Sequence, residues 1–237
     1  MNVLLLHAGI ADRRMWAPQI EALEPAGHRV LAPDLPGFGD NALTPPTVDY
    51  VEFAATLLDG AAAVVGCSFG GRVALELAAA KPELVTKLVL VAPGLASTEW
   101  SKEAQAGFAE EEAMIESGDL IGAAEQQARM WLAPDAAADV RELTVAMTVR
   151  SYDQQLPFED EVRAVWPEPP AETRLGQLDV PTLLVVGDAD LPELRSLAER
   201  LARELPDAGL ETIEGAGHLP SLERPDELNR LLLEFLQ

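Results

Sequence analysis

Gly66-Cys67-Ser68-Phe69-Gly70 sets a serine between two glycines at the spacing of a nucleophile elbow. Such a turn carries the chain from strand straight into helix and lifts the serine hydroxyl clear of the backbone, where it can attack an electrophilic carbon. Any side chain two positions before or after would collide with the neighbouring strand or helix, so glycine is needed on both sides. The pattern is short, and its surroundings decide its meaning. Ala62 to Val65 suits a buried strand, while Phe69 to Ala80 puts Val73, Leu77 and Ala80 on one face at helical spacing before Pro82 stops the run. That helix would aim its positive end at negative charge developing beside Ser68.

The elements needed to hold such a turn recur along the chain. Val3 to Leu6 is an apolar run ending at His7-Ala8-Gly9-Ile10, and Trp16 to Leu23 has helical spacing before Gly27. His28 to Asp34 is expected to be a strand leading into the turn-rich Leu35-Pro36-Gly37-Phe38-Gly39, and Thr47 is a candidate N-cap for a helix through Leu58. After the elbow, Leu88 to Val91 forms another strand. Strand alternating with helix implies parallel strands with helices on both faces.

From about residue 95 to 174 the strand signals disappear. Helical patterns cover 104–117, 120–131 and 136–152, and Trp166-Pro167-Glu168-Pro169-Pro170 reads as an extended linker. The alternation then resumes with strands at 182–186 and 210–213 and helices at 191–205 and 225–236. The organisation expected is an α/β core over 1–94 and 175–237, carrying a helical cap inserted at 95–174.

Composition narrows the function classes. The net charge of −23 over 237 residues, with only three lysines, disfavours nucleic acid and anionic membranes as partners. No apolar run approaches a membrane span. The sequence enters a strand at once with no basic, apolar leader before it, so a cytoplasmic address is expected. The single cysteine, Cys67, fits a reducing compartment, and its place beside Ser68 suits small-residue packing. Metal-ligand clusters, phosphate-cradling loops and dinucleotide fingerprints are not evident, so no cofactor is expected.

Five motifs in order resemble the α/β-hydrolase fold family over nearly the whole chain. They are Leu4-Leu5-Leu6-His7-Ala8-Gly9, Asp34-Leu35-Pro36-Gly37-Phe38-Gly39, the elbow through Gly71, Gly187-Asp188-Ala189-Asp190, and Gly215-Ala216-Gly217-His218-Leu219-Pro220 with Glu223-Arg224-Pro225. The resemblance implies a catalytic triad of Ser68, Asp190 and His218, in the family's chain order. A count agrees with the histidine. His7 belongs to the first loop and His28 is expected to be a satisfied structural residue, which leaves His218 as the base. Between Asp188 and Asp190, the family pattern favours Asp190. An oxyanion hole is implied from the backbone N–H groups of Phe69 and of Gly9, or of Ile10, because His7-Ala8-Gly9 departs from the usual His-Gly. Relatives generally begin with two further strands, so the sheet is expected to be six-stranded and wholly parallel, with an edge that must be covered or charged.

Serine at position 68 argues against epoxide opening and halide displacement, which use aspartate at the elbow in this family. The activity implied is hydrolysis of a small carboxylic ester or lactone, in the manner of the serine esterases and enol-lactonases. Cleavage of a C–C bond in a diketone-like ring-fission product is the second reading, and a small-ligand sensor with little turnover is the third. Ile10, Met130, Trp131, Met147 and Trp166 are candidates for the substrate pocket, which is expected to be apolar and uncharged.

Overall fold

The computed structural model describes residues 1–44, 46–158 and 160–237. Its strands are β1 (Asn2–Leu6), β2 (Arg29–Leu31), β3 (Thr47–Asp49), β4 (Ala62–Cys67), β5 (Val85–Val91), β6 (Arg163–Val165), β7 (Thr182–Gly187) and β8 (Ala208–Ile213). Its helices are α1 (Ala17–Leu23), α2 (Tyr50–Thr56), α3 (Phe69–Ala80), α4 (Lys102–Glu116), α5 (Leu120–Trp131), α6 (Ala138–Gln155), α7 (Pro192–Glu204), α8 (Pro220–Glu223) and α9 (Pro225–Phe235). Six strands form one sheet in the order β2-β1-β4-β5-β7-β8, and every pairing in it is parallel, as expected.

Because side chains alternate across a strand, the sheet buries two different apolar sets. Leu4, Leu6, Val64, Leu88, Leu90 and Leu184 face Val73, Leu77, Leu194 and Leu201 from α3 and α7. Val3, Leu5, Val65, Val89 and Val185 face Leu23, Leu228 and Leu232 from α1 and α9. Helices therefore cover both faces. That is why the central strands read as continuous apolar runs.

Three expectations about local structure fail. Thr47 does not cap a helix: Thr47–Asp49 is β3, paired in parallel with β6, and Asp49 caps α2 by accepting from the Glu52 N–H at 2.8 Å. The 95–174 stretch is likewise not free of strand. Arg163, Ala164 and Val165 are all exposed, so β6 carries no burial pattern and its pairing is set by a partner more than a hundred residues away. His28 also departs from expectation. It precedes β2, and its buried Nδ1 has no hydrogen-bond partner among the described residues.

The α4–α6 stretch reaches the loops at the carboxyl ends of the strands. Thr148 Oγ1 donates to the Ile10 carbonyl at 3.0 Å, Arg150 Nε to the Gly39 carbonyl at 2.9 Å, and the His218 N–H to the Trp131 carbonyl at 2.8 Å. This is the rim at which open parallel sheets place their ligands.

Candidate active site

Ser68 sits between β4 and α3 with φ 52° and ψ −112°, a left-handed conformation for a residue with a side chain. Such a position costs about 1–3 kcal/mol and persists only where the surroundings impose it. Here they do. A Cβ on Gly66 would lie 2.2 Å from the Gly70 carbonyl oxygen, and one on Gly70 would lie 2.3 Å from that of Leu6. The Ser68 N–H donates to the Val91 carbonyl at 2.9 Å, and its carbonyl accepts from Arg72 at 3.0 Å, so the turn is tied to strand and helix alike.

His218 and Asp190 meet across the ends of β8 and β7. His218 Nδ1 lies 3.0 Å from Asp190 Oδ2, both side chains are almost wholly buried, and Asp190 Oδ1 accepts the Leu191 N–H at 2.8 Å. The two loop aspartates are thereby separated. Asp188 is exposed and accepts from the Gly215 N–H at 2.7 Å, whereas Asp190 is directed at the imidazole. Cys67, adjacent to Ser68, is buried, with its thiol 3.7 Å from the His218 carbonyl. Burial pushes that thiol well above its usual range, and the negative charges of Asp190 and Glu223 add to the effect. It is therefore a packing residue rather than a nucleophile.

Glu223 organises the histidine loop. Its Oε2 accepts from the Ala133 N–H at 2.7 Å and the Gly217 N–H at 3.1 Å, and its Oε1 from the Leu219 N–H at 3.0 Å. One buried carboxylate thus holds the residues on either side of His218 and joins them to the chain just after α5.

The first loop is held by His7, which is fully buried. Its Nε2 accepts from the Leu35 N–H at 2.8 Å, so the proton resides on Nδ1, which donates to the Ala8 carbonyl at 2.9 Å. Burial lowers the ring's basicity, outweighing the raising effects of the Ala8 carbonyl, Asp34 and Asp12. The Ala8 carbonyl also accepts from Ala11 at 3.1 Å. In a trans peptide the N–H points opposite the carbonyl, so that of Gly9 is directed away from His7. A Cβ on Gly9 would lie 3.6 Å from the Phe69 Cβ, which places this loop against the residue following Ser68.

Four of the five pocket candidates meet in one cluster, and Met147 lies apart from them. Ile10, Phe69, Met130 and Trp166 pack against the same core cluster, to which Trp131 belongs, and Trp166 meets Phe69 edge-on with ring centroids 6.0 Å apart. Tyr50 contacts both rings, and the Arg72 guanidinium lies 3.6 Å from the Trp166 ring centre. Trp131 lies over His218, with centroids 4.4 Å apart and planes at 33°. Met130 lines a cleft of about 1400 Å³ together with Trp100, Leu191 and Arg129. Met147 is fully buried in the core on the α1 and α9 side of the sheet. Tyr50 and Arg72 went unassigned in the sequence. Arg72 was legible as one turn beyond Ser68, but nothing local marks Tyr50.

Among the described residues there is no group of three or more His, Cys, Asp or Glu side chains placed to hold a metal ion, and no helix long and apolar enough to cross a membrane.

Known proteins place this geometry in context. Residues 3–231 match the model of an alpha/beta hydrolase family. A putative carbamate hydrolase, RutD, from Variovorax paradoxus is 30% identical over 249 residues, spanning 99% of this chain and 91% of its own. A pimeloyl-[acyl-carrier protein] methyl ester esterase from Aromatoleum aromaticum is 29% identical, over 100% of this chain and 98% of that protein. Among solved structures, a thermophilic esterase from Thermogutta terrifontis superposes with a TM-score of 0.78 at 26% identity, covering 100% of this chain and 89% of the other. The chain belongs to the alpha/beta hydrolase family.

Proposed function

We propose that this protein hydrolyses small carboxylic esters or lactones through Ser68, His218 and Asp190, by way of an acyl-enzyme. The observation that carries the reading is the buried His218–Asp190 pair at 3.0 Å, on the same sheet rim as a serine held at positive φ. His218 takes the Ser68 proton on Nε2 as the hydroxyl attacks the carbonyl, and Asp190 holds the tautomer that leaves Nε2 free. Water activated by the same imidazole then releases the acid.

The oxyanion is received by the N–H groups of Phe69 and Gly9. Phe69 is the first residue of α3, where an N–H lacks a helical acceptor, and the His7–Ala8 bond directs the Gly9 N–H away from the His7 ring. Each such donor is worth about 3–4 kcal/mol of barrier. Residues 95–174 act as the cap, with Ile10, Phe69 and Trp166 forming the acyl side of the pocket. Small ester substrates suit the names of the esterase relatives, and a reducing, cytoplasmic setting suits the single buried thiol.

The test is turnover of short and medium p-nitrophenyl esters by the wild type beside Ser68→Ala. A fall of at least about a thousandfold in kcat for Ser68→Ala is expected. Equal turnover by both proteins, or none by a folded wild type, refutes the reading.

A further inference from the structure

Three helices of the 95–174 stretch contribute to one partly buried polar chain that ends on the His218 ring. Tyr152 of α6 donates its hydroxyl to Glu111 Oε1 of α4 at 2.6 Å. The Gln127 side-chain amide of α5 donates to Glu111 Oε2, and its carbonyl accepts the Trp131 indole N–H. Every donor points the same way, toward the Glu111 carboxylate as the final acceptor, so the chain has one consistent polarity. Burial raises the Glu111 carboxyl, and the Tyr152 hydrogen bond opposes that shift. A network of this kind is costly to bury in the middle of helices and needs a compensating role. Its far end suggests one: it fixes the rotation of the indole that lies 4.4 Å from the imidazole.

We infer that Trp131 is a positioning residue for the proposed base, its indole held over His218 by the Gln127–Glu111–Tyr152 chain so that its π face favours the charged ring. The inference rests on the reading of His218 as the base. A cation against an indole face is attracted by the ring quadrupole, more so when water is excluded. His218 is only 2% exposed. Among the described residues, the polar and titratable groups beside His218 are engaged elsewhere than on that face. Asp190 occupies Nδ1, Cys67 meets the His218 carbonyl, and Glu223 holds the N–H groups of Gly217 and Leu219 rather than the ring. Trp100 and Phe108 pack on Trp131 in turn, with centroids 6.0 and 6.2 Å away, so the indole is held by aromatic contacts as well as by its N–H. During attack on an ester the imidazole gains the Ser68 proton and no electrons move onto Trp131; the indole acts only through its field.

The experiment follows the His218 ring by ¹⁵N NMR titration, assigned by comparison with His218→Gln; the chain has only two other histidines. Trp131→Leu keeps the site apolar and dry but removes the π face. Its titration midpoint is expected to fall by about 0.5–1.5 pH units, with a loss of about three- to thirtyfold in kcat/KM on a p-nitrophenyl ester. Trp131→Phe retains a weaker face and should fall between wild type and Trp131→Leu. Gln127→Leu, which removes the indole's acceptor, should shift the midpoint in the same direction by less. An unmoved midpoint in folded Trp131→Leu overturns the inference, and one moved by Trp131→Leu but not by Gln127→Leu overturns the tether. Because the readout is the ring itself, it stands apart from the esterase test: absent turnover refutes the function, an unmoved midpoint refutes the stack.

Discussion

Replacing Glu223 tests whether the histidine loop is held as its hydrogen bonds imply. The carboxylate accepts three buried N–H groups, from Ala133, Gly217 and Leu219. In Glu223→Gln the amide keeps one oxygen. Turning that oxygen toward Ala133 and Gly217 saves two bonds and sets the NH₂ against the Leu219 N–H, two donors face to face. A hydrogen bond to a charged acceptor is worth about 1.5–3 kcal/mol, so the variant should lose roughly that much. At about 2–4 °C per kcal/mol for a chain of this size, Tm should fall by about 3–12 °C. Glu223→Ala abandons all three donors and should lose about 3–5 kcal/mol. Differential scanning calorimetry at neutral pH gives both values, and p-nitrophenyl ester turnover should fall in the same order because Gly217 and Leu219 flank His218. Asp226→Asn, an exposed neighbouring acid, serves as the control and should change Tm by less than about 2 °C. A Glu223→Gln protein indistinguishable from that control would refute the argument.

Asp190→Asn should lower kcat by about ten-thousandfold by favouring the wrong imidazole tautomer, whereas Asp188→Asn should cost less than about tenfold; steady-state kinetics on one ester separates them. Native Cys67 should be inert to a disulfide reagent such as DTNB at pH 8, and one thiol should react in denaturant; rapid labelling of the native protein would contradict its burial. Burial raises the Glu76 carboxyl above its ordinary value of 4.5, so its contribution to stability is full below that pH and is lost as pH rises through the folded value. Glu76→Gln removes this loss while its amide oxygen can still accept the Ala171 N–H. Its Tm relative to wild type should therefore rise between about pH 4 and pH 7, and a constant difference would contradict the assignment.

Much of this protein is legible in the chain because its signals are local. A strand buried on both faces must be apolar throughout, which made β1, β4, β5 and β7 readable from Val3–Leu6, Ala62–Val65, Leu88–Val91 and Thr182–Val186. The elbow is equally local. The steric demands of one turn write glycine at 66 and 70, and a helix must follow at once. The six-stranded parallel sheet follows from those elements and the handedness of their connections.

Tertiary structure decided what depends on distant partners. β3 and β6 are three residues each and pair with one another; β6 is exposed throughout and β3 buries only Val48, too short a pattern to announce a strand, so Thr47 reads as a cap in the sequence. In the sequence only motif spacing distinguishes Asp188 from Asp190; in the structure the two carboxylates turn to different partners, one to a backbone N–H and one to an imidazole. Aromatic and methionine residues at helical spacing look alike in sequence whether they line a pocket, fill a core or cover a base. Trp166 lies beside Phe69, Met147 in the core, Met130 in a cleft with Trp100 and Leu191, and Trp131 on His218, because packing fills whatever space the assembled helices leave. The sequence by itself determined the strands of the main sheet, the helices that cover it and where a serine could be exposed; the β3–β6 pair and the side chains that surround the serine were settled by contacts between residues far apart in the chain.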